Sequence, residues 1–311
     1  MIISLNPTYL CNFRCDFCYL TPTQLADKNK INLGMLDKRL SEVAKAVDIS
    51  HVDLYGGEIS VLGDDYFYAL KEGIRRYYQG PINIITNYAS PKDYMHEEDI
   101  DLSVSFDFEA RERSGLVFAN MLTCPVPISV LILASPAVIK MDVGEMVDQL
   151  SMLSNISSVE IKPYSTNQAN AHKVTHKDFE LFVADWLGRD LPFEFENRHR
   201  IEDSLKGRYN AFSNDHVYIN PNGNFSVLEF DSNDNEYFLE LNSFAEYIRW
   251  ANNEPEKNTS PICWECKYYG RCLTEHYRYV KDLDNGCNGY KGLLEWSEKR
   301  YSLLEAEQLV G

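Results

Sequence analysis

Short apolar runs rich in β-branched residues alternate along the chain with segments in which apolar residues return every three or four positions. The runs are Ile2 to Leu5, Val52 to Tyr55, Ile82 to Ile85, Leu102 to Phe106, Ile128 to Leu133 and Val159 to Lys162, each of strand length. Between them, Leu36/Leu40/Val43/Val47, Phe67/Leu70/Ile74/Tyr77 and Met146/Leu150/Leu153 each draw the single apolar stripe of a half-buried helix. Right-handed crossovers oblige such units to form a parallel sheet covered by helices. Six of them predict an α/β fold, a curved partial (β/α)6 barrel of the TIM type, over residues 1–190, closed by a further stripe at Phe179/Phe182/Val183/Trp186. From there the pattern changes. Residues 191–311 read as a small second domain: a hairpin from His216 to Phe230 turned at Pro221-Asn222-Gly223, a cysteine-rich segment and a C-terminal helix. There is no internal repeat and no low-complexity linker.

Composition narrows the partners. The 311 residues carry 47 acidic against 30 basic side chains, a formal charge of −17, and no Lys/Arg run of the kind that neutralises phosphates, so nucleic acid is not an expected partner. No apolar stretch reaches membrane-spanning length and the N-terminus enters a strand directly, which predicts a cytoplasmic protein without a membrane partner. Of eight cysteines, seven fall into two tight groups, a pattern that suits metal ligation in a reducing compartment better than disulfides. Cys124 stands apart beside Pro125 and reads as a small half-buried hydrophobe at a strand entrance.

The first group, Cys11, Cys15 and Cys18, occupies the loop after the first strand, at the C-terminal end where barrel active sites lie. Three thiolates can hold three irons of a cubane and leave the fourth open to a ligand, or can begin a zinc site completed from elsewhere. The second strand ends in Gly56-Gly57-Glu58, where missing Cβ atoms let the backbone approach a ligand closely. Cys11, Cys15 and Cys18 followed by the aromatic Tyr19, with Gly56-Gly57-Glu58 one βα unit later, resemble the signature of the radical S-adenosylmethionine superfamily. The resemblance implies a [4Fe-4S] cluster on the three cysteines. S-adenosylmethionine would chelate its open iron and be cleaved reductively to a 5′-deoxyadenosyl radical that takes hydrogen from substrate. It implies cofactor contacts from Tyr19, near the adenine, and from Gly56, Gly57 and Glu58, with Asn87 after Thr86 and with Ser105 and Asp107 at the ends of the third and fourth strands. Taken as plain sequence, these last positions are helix-capping residues. Arg111 and Arg113 can reach a methionyl carboxylate but read as a solvated first helical turn, and Lys162 as a strand-end lysine near the barrel mouth.

The second group, Cys263, Cys266, Cys272 and Cys287, supplies four thiolates and so closes a metal site completely, as zinc or as iron–sulfur. Its spacing resembles the C-terminal half of a SPASM domain. Leu228 and His276 stand where the cysteines of a first auxiliary cluster are expected, which implies a single auxiliary [4Fe-4S] cluster. Tyr268, Tyr269, Tyr277 and Tyr279 read as packing around it. The resemblance further implies a peptide-modifying enzyme acting on a ribosomally made precursor, with an electron donor such as a flavodoxin or ferredoxin. No leader-binding domain is expected ahead of the strand at Ile2, so either a separate leader-binding protein is the expected partner or the tail module grips the leader. The other readings are a radical dehydrogenase or rearrangement enzyme acting on a small molecule, and a non-catalytic metal-binding protein.

Overall fold

The computed structural model describes residues 1–164, 169–170, 172–209, 215–228, 238–273, 287 and 290–308. Strands β1 (Ile2–Leu5), β2 (His51–Leu54), β3 (Ile82–Thr86), β4 (Ile100–Ser105), β5 (Ile128–Leu133), β6 (Ile156–Lys162) and β7 (Glu194–Phe195) lie side by side in chain order, all parallel. This is the expected α/β partial barrel. On the other edge β8 (His216–Ile219) runs parallel beside β1, and β9 (Phe225–Leu228) and β10 (Phe238–Leu241) continue as antiparallel hairpins. The sheet therefore continues past residue 190 at both edges. Sequence pattern missed β7, which has only two residues, and β10.

Ten helices accompany the described strands: α1 (Pro22–Leu25), α2 (Leu33–Ala44), α3 (Asp64–Arg75), α4 (Ser114–Leu122), α5 (Val143–Ser151), α6 (His176–Leu187), α7 (Glu196–Leu205), α8 (Phe244–Asn258), α9 (Pro261–Trp264) and α10 (Lys291–Gln308). Their starts follow from side chains that cap free N–H groups: Asn32, Asp142, Thr175 and Ser243 each accept from the residue three positions on. Apolar stripes of α2, α3, α5 and α6 join alternate strand residues, Ile3, Val52, Ile82, Val104, Ile132 and Ile161 among them, in one core. Val47 does not join it. The helix it was assigned to ends at Ala44, where the amides of Ala46 and Val47 both turn back to the Val43 carbonyl and leave Val47 38 % exposed.

The opposite face of the sheet is polar. Ser4, Asp53 and Asn83 stand in register on β1 to β3, and Ser103, Ser129 and Ser158 on β4 to β6. They bond laterally: Asn83 donates to Asp53 at 2.7 Å, Ser103 to Asn83 at 2.9 Å and Ser158 to Ser129 at 3.0 Å. Glu160 lies buried between Lys162 and Arg200, each 2.7 Å away. The charge of Lys162 on β6 is felt by His216 on β8, and that of Asp53 by Glu160. Six strand spacings of a flat sheet would separate β6 from β8 by roughly 29 Å, beyond the screening length. The sheet curls as a partial barrel, bringing β6 and β8 toward each other across a polar lumen.

Within that lumen His51 and Asp53 form a 3.0 Å contact. The hydrogen bond to Asp53 raises the imidazole above its ordinary value, with burial opposing it. A raised folded-state value means the contact contributes fully below the unfolded value of about 6.5 and is lost as pH rises through the folded value. Replacing His51 by Gln is expected to lower stability at about pH 5.5, with the difference from wild type shrinking as the pH passes neutrality, read by urea unfolding across that range.

Candidate active site

The loop after β1 folds onto α1 and its neighbours before it presents any cysteine. The Ile31 amide donates to Pro7 O at 2.9 Å, Thr8 Oγ1 to Asn29 O at 2.9 Å and the Cys11 amide to Leu25 O at 3.2 Å. Phe13 and Phe17, between the cysteines, and Leu20, just after them, are buried, so the alternation of apolar and thiol side chains turns Cys11, Cys15 and Cys18 to a common side. Donors converge on the sulfurs. The Phe13 amide lies 3.4 Å from Cys11 Sγ, the Leu20 amide 3.4 Å from Cys18 Sγ, Arg111 Nη1 3.9 Å from Cys15 Sγ and Asn87 Nδ2 4.0 Å from Cys11 Sγ.

Such donors suit negative sulfur. Burial opposes it, pushing the Cys11 thiol up to about 12 and the Cys15 thiol up to about 11, with Arg111 the main opposing charge at Cys15. A metal centre reconciles the two, because a bound cation takes the proton's place on a buried thiolate. Among the described residues no three His, Cys, Asp or Glu side chains close around one metal ion. A cubane spreads its thiolates over separate irons.

Gly56 and Gly57 follow β2, and the close approach they permit is to the cysteine loop itself. The Gly57 amide donates to Thr8 O at 3.0 Å and the Glu58 amide to Leu10 O at 2.9 Å. A Cβ on Gly57 would stand 2.3 Å from Leu10 O and 2.4 Å from Tyr9 O; one on Gly56, where φ is +131°, would stand 2.7 Å from Thr8 O. The missing side chains thus admit backbone of the same protein. Glu58 is 1 % exposed and its carboxylate points inward. It accepts from the Ser60 amide at 2.9 Å, Thr86 Oγ1 at 2.6 Å and the Asn87 amide at 2.7 Å. Asn87 is thereby held to donate to Asn12 Oδ1 at 2.7 Å, beside Cys11.

Asp107 is fully buried and caps no helix with its side chain. One oxygen accepts the Leu133 amide at 2.6 Å and the other the Arg111 guanidinium, with Nε at 2.9 Å. Nor do Thr86 and Asn87 cap a helix. The solvated reading of Arg111 is also overturned: its side chain is 12 % exposed, paired to Asp107 and 5.4 Å above the Phe17 ring. Arg113 is exposed and lies 5.9 Å over Phe13, its left-handed backbone starting α4. Ser105 is half-buried beside Leu131 at the end of β4. Tyr19 stacks on Tyr55 with ring centres 5.9 Å apart and meets Phe238 of β10 edge-on at 5.8 Å. Lys162 belongs to the lumen triad with Glu160 and Arg200.

In the tail, Cys263 and Cys266 bracket the end of α9, and the Cys266 amide donates to Cys263 O at 3.0 Å. Burial raises the Cys263 thiol to about 11, and Cys287 and Cys266 add to the rise. Cys272 is buried. Between them Tyr268 is fully buried under Lys267 and Arg271, and Arg271 Nη1 donates to Leu205 O of α7 at 2.8 Å. Tyr269 packs on Trp264 at 5.0 Å. His276, Tyr277, Tyr279 and the Leu228 side chain lie outside the described residues. Cys124 is buried between α4 and β5, at the strand entrance the pattern predicted but more deeply than the half-buried position expected.

No family model matches the chain, and no curated protein matches it in sequence. Solved structures do. The chain superposes on anSMEcpe with bound AdoMet, an anaerobic sulfatase-maturating radical S-adenosylmethionine protein of SPASM type, with a TM-score of 0.71 at 14 % identity over 100 % of both chains. It superposes on SuiB of Streptococcus suis bound to S-adenosylmethionine with a TM-score of 0.64 at 15 % identity, over 92 % of this chain and 76 % of that one. This chain has the radical S-adenosylmethionine fold. In this chain the cysteine loop follows β1 and the glycine pair follows β2. Sequence reasoning missed Asn12 and Thr8, which carry no motif, although Thr8 is the residue through which both strand ends are laced.

Two substitutions test this lacing. Gly57→Ala is expected to destabilise by about 3 kcal/mol, the upper range for overpacking a filled site, read as a lowered denaturation midpoint. Glu58→Gln turns an amide N–H toward a backbone N–H and is expected to cost about 2 kcal/mol, with amide hydrogen exchange at Ser60 and Asn87 accelerated.

Proposed function

We propose that the protein is a radical S-adenosylmethionine enzyme that modifies a peptide. The observation that carries the reading is the convergence of four N–H donors on Cys11, Cys15 and Cys18, at strand ends stitched together by Gly56-Gly57-Glu58. These three cysteines would hold a [4Fe-4S] cluster, which when bound and reduced would supply the electron for reductive cleavage of S-adenosylmethionine. The chain's own residues do the rest. Gly56, Gly57, Asn87, Ser105 and Tyr19 line the cofactor side, while Glu58 and Asp107 fix the strand ends behind it. Phe13, Phe17 and Leu20 seal the cysteine loop from water.

Peptide as the substrate class is supported by two similar structures, anSMEcpe with a bound Cp18Cys peptide and SuiB bound to the precursor peptide SuiA. A separate leader-binding protein and a flavodoxin-like or ferredoxin-like donor are the proposed partners. Cys263, Cys266, Cys272 and Cys287 would hold one closed auxiliary [4Fe-4S] cluster. Zinc is the second reading there, since four thiolates satisfy either metal. Among the described residues no helix is long and apolar enough to cross a membrane.

Anaerobic reconstitution is expected to give about eight irons per chain, as two cubanes require, and reduction with dithionite in the presence of S-adenosylmethionine is expected to release 5′-deoxyadenosine. Cys15→Ala is expected to abolish that release, and cleavage that persists would end the assignment. About four irons with one zinc would replace the auxiliary cluster by a zinc site and leave the radical chemistry standing.

A further inference from the structure

Arg111 is a buried cation whose guanidinium is divided between two tasks. Nε and Nη2 grip one oxygen of Asp107, whose other oxygen is fixed by the Leu133 amide at 2.6 Å. The remaining Nη1 faces Cys15 Sγ at 3.9 Å, and the plane rests 5.4 Å above Phe17. Asp107 is fully buried and the Arg111 side chain is 12 % exposed, so solvent screens neither charge well. The exposed Glu112, whose carboxylate accepts the Arg14 amide at 2.8 Å, also acts on Cys15, and the exposed Arg14 acts on Cys18.

We propose that the Asp107–Arg111 pair sets the reduction potential of the cluster held by Cys11, Cys15 and Cys18, with Arg111 the donor to the Cys15 sulfur and Asp107 the anion that limits the effect. The inference rests on the proposed iron–sulfur reading of that site. Reduction adds one negative charge to a cluster and its thiolates, and hydrogen bonds and positive charge at the sulfurs favour the reduced form. Arg111 therefore raises the potential. Asp107 partly cancels its charge and holds the fork in place. A carboxylate that served only to order the loop would have no sign attached to it, whereas this arrangement gives the two partners opposite signs. Arg111 and Asp107 are positioning residues: they act through the sulfur.

The test is a redox titration of the reconstituted protein, followed by electron paramagnetic resonance without S-adenosylmethionine, on the signal that Cys15→Ala removes. Arg111→Gln is expected to shift the midpoint to more negative potential. Asp107→Asn keeps an acceptor for the Leu133 amide and unmasks the arginine charge, so its midpoint is expected to move the opposite way. Arg111→Lys keeps the charge without the planar fork and is expected to fall between wild type and Arg111→Gln. Midpoints that stay unchanged, or that move in the same direction for Arg111→Gln and Asp107→Asn, overturn the inference. Absence of any signal dependent on Cys15 in the parent protein overturns the reading beneath it instead.

Discussion

A backbone contact too close to tolerate a side chain governs this molecule. Gly57 lies against the carbonyls of Tyr9 and Leu10, and through its own amide and that of Glu58 it stitches the end of β2 to the loop that leaves β1. Everything displayed at the site depends on that seam. It sets the height at which Cys11 leaves the sheet, and it aims Glu58 back into the protein. There one carboxylate gathers an amide from its own turn and a hydroxyl and an amide from the end of β3. Hydrogen bonds to a buried charge are worth about 1.5–3 kcal/mol each, and an unmet one costs comparably, so the three strand ends hold together or fail together. Asn87, positioned by Glu58, then passes the order on to Asn12 and Cys11.

Behind the seam, the polar face of the sheet explains its shape. A parallel sheet covered by helices on both faces would be apolar on both. Here serines, Asn83, Asp53 and Glu160 occupy one face, and they need partners that a flat sheet in contact with helices could not supply. Curling brings groups on β2, β6 and β8 within electrostatic reach of one another. The charged triad of Glu160, Lys162 and Arg200 is then buried with compensation, and burial of Glu160 does not prevent its carboxyl from titrating below the ordinary range.

The strands and helix stripes of the barrel were readable because each obeys one period and one buried face, from Ile3 to Ile161. What escaped was set by tertiary contacts. Two-residue β7 has no period, and β10 is a strand only because β9 lies beside it. Val47 satisfied the helical spacing, yet the chain had already turned at Val43. At the site, cysteine spacing and the glycine pair were legible as chemistry, because thiols and missing Cβ atoms have few other uses in that order. The solvated reading of Arg111 failed for a physical reason: sequence shows a charge four residues from Asp107, but whether such a pair faces water or the protein depends on the Leu133 amide and the Phe17 ring, which arrive from distant parts of the chain.

The chain carries a formal charge of −17, yet the cysteine loop is faced by donors more than by acids. Two carboxylates beside the cysteine loop, Glu58 and Asp107, are buried and turned away, their oxygens committed to backbone amides, Thr86 and Arg111. Groups that do face the sulfurs are donors: the amides of Phe13 and Leu20, the Asn87 amide and the Arg111 guanidinium. The same acids that order the strand ends thus orient the positive ends of their partners toward the thiols. Structure and electrostatics are served by one set of bonds, so a substitution at Glu58 or Asp107 alters the field at the sulfurs even where the loop keeps its shape.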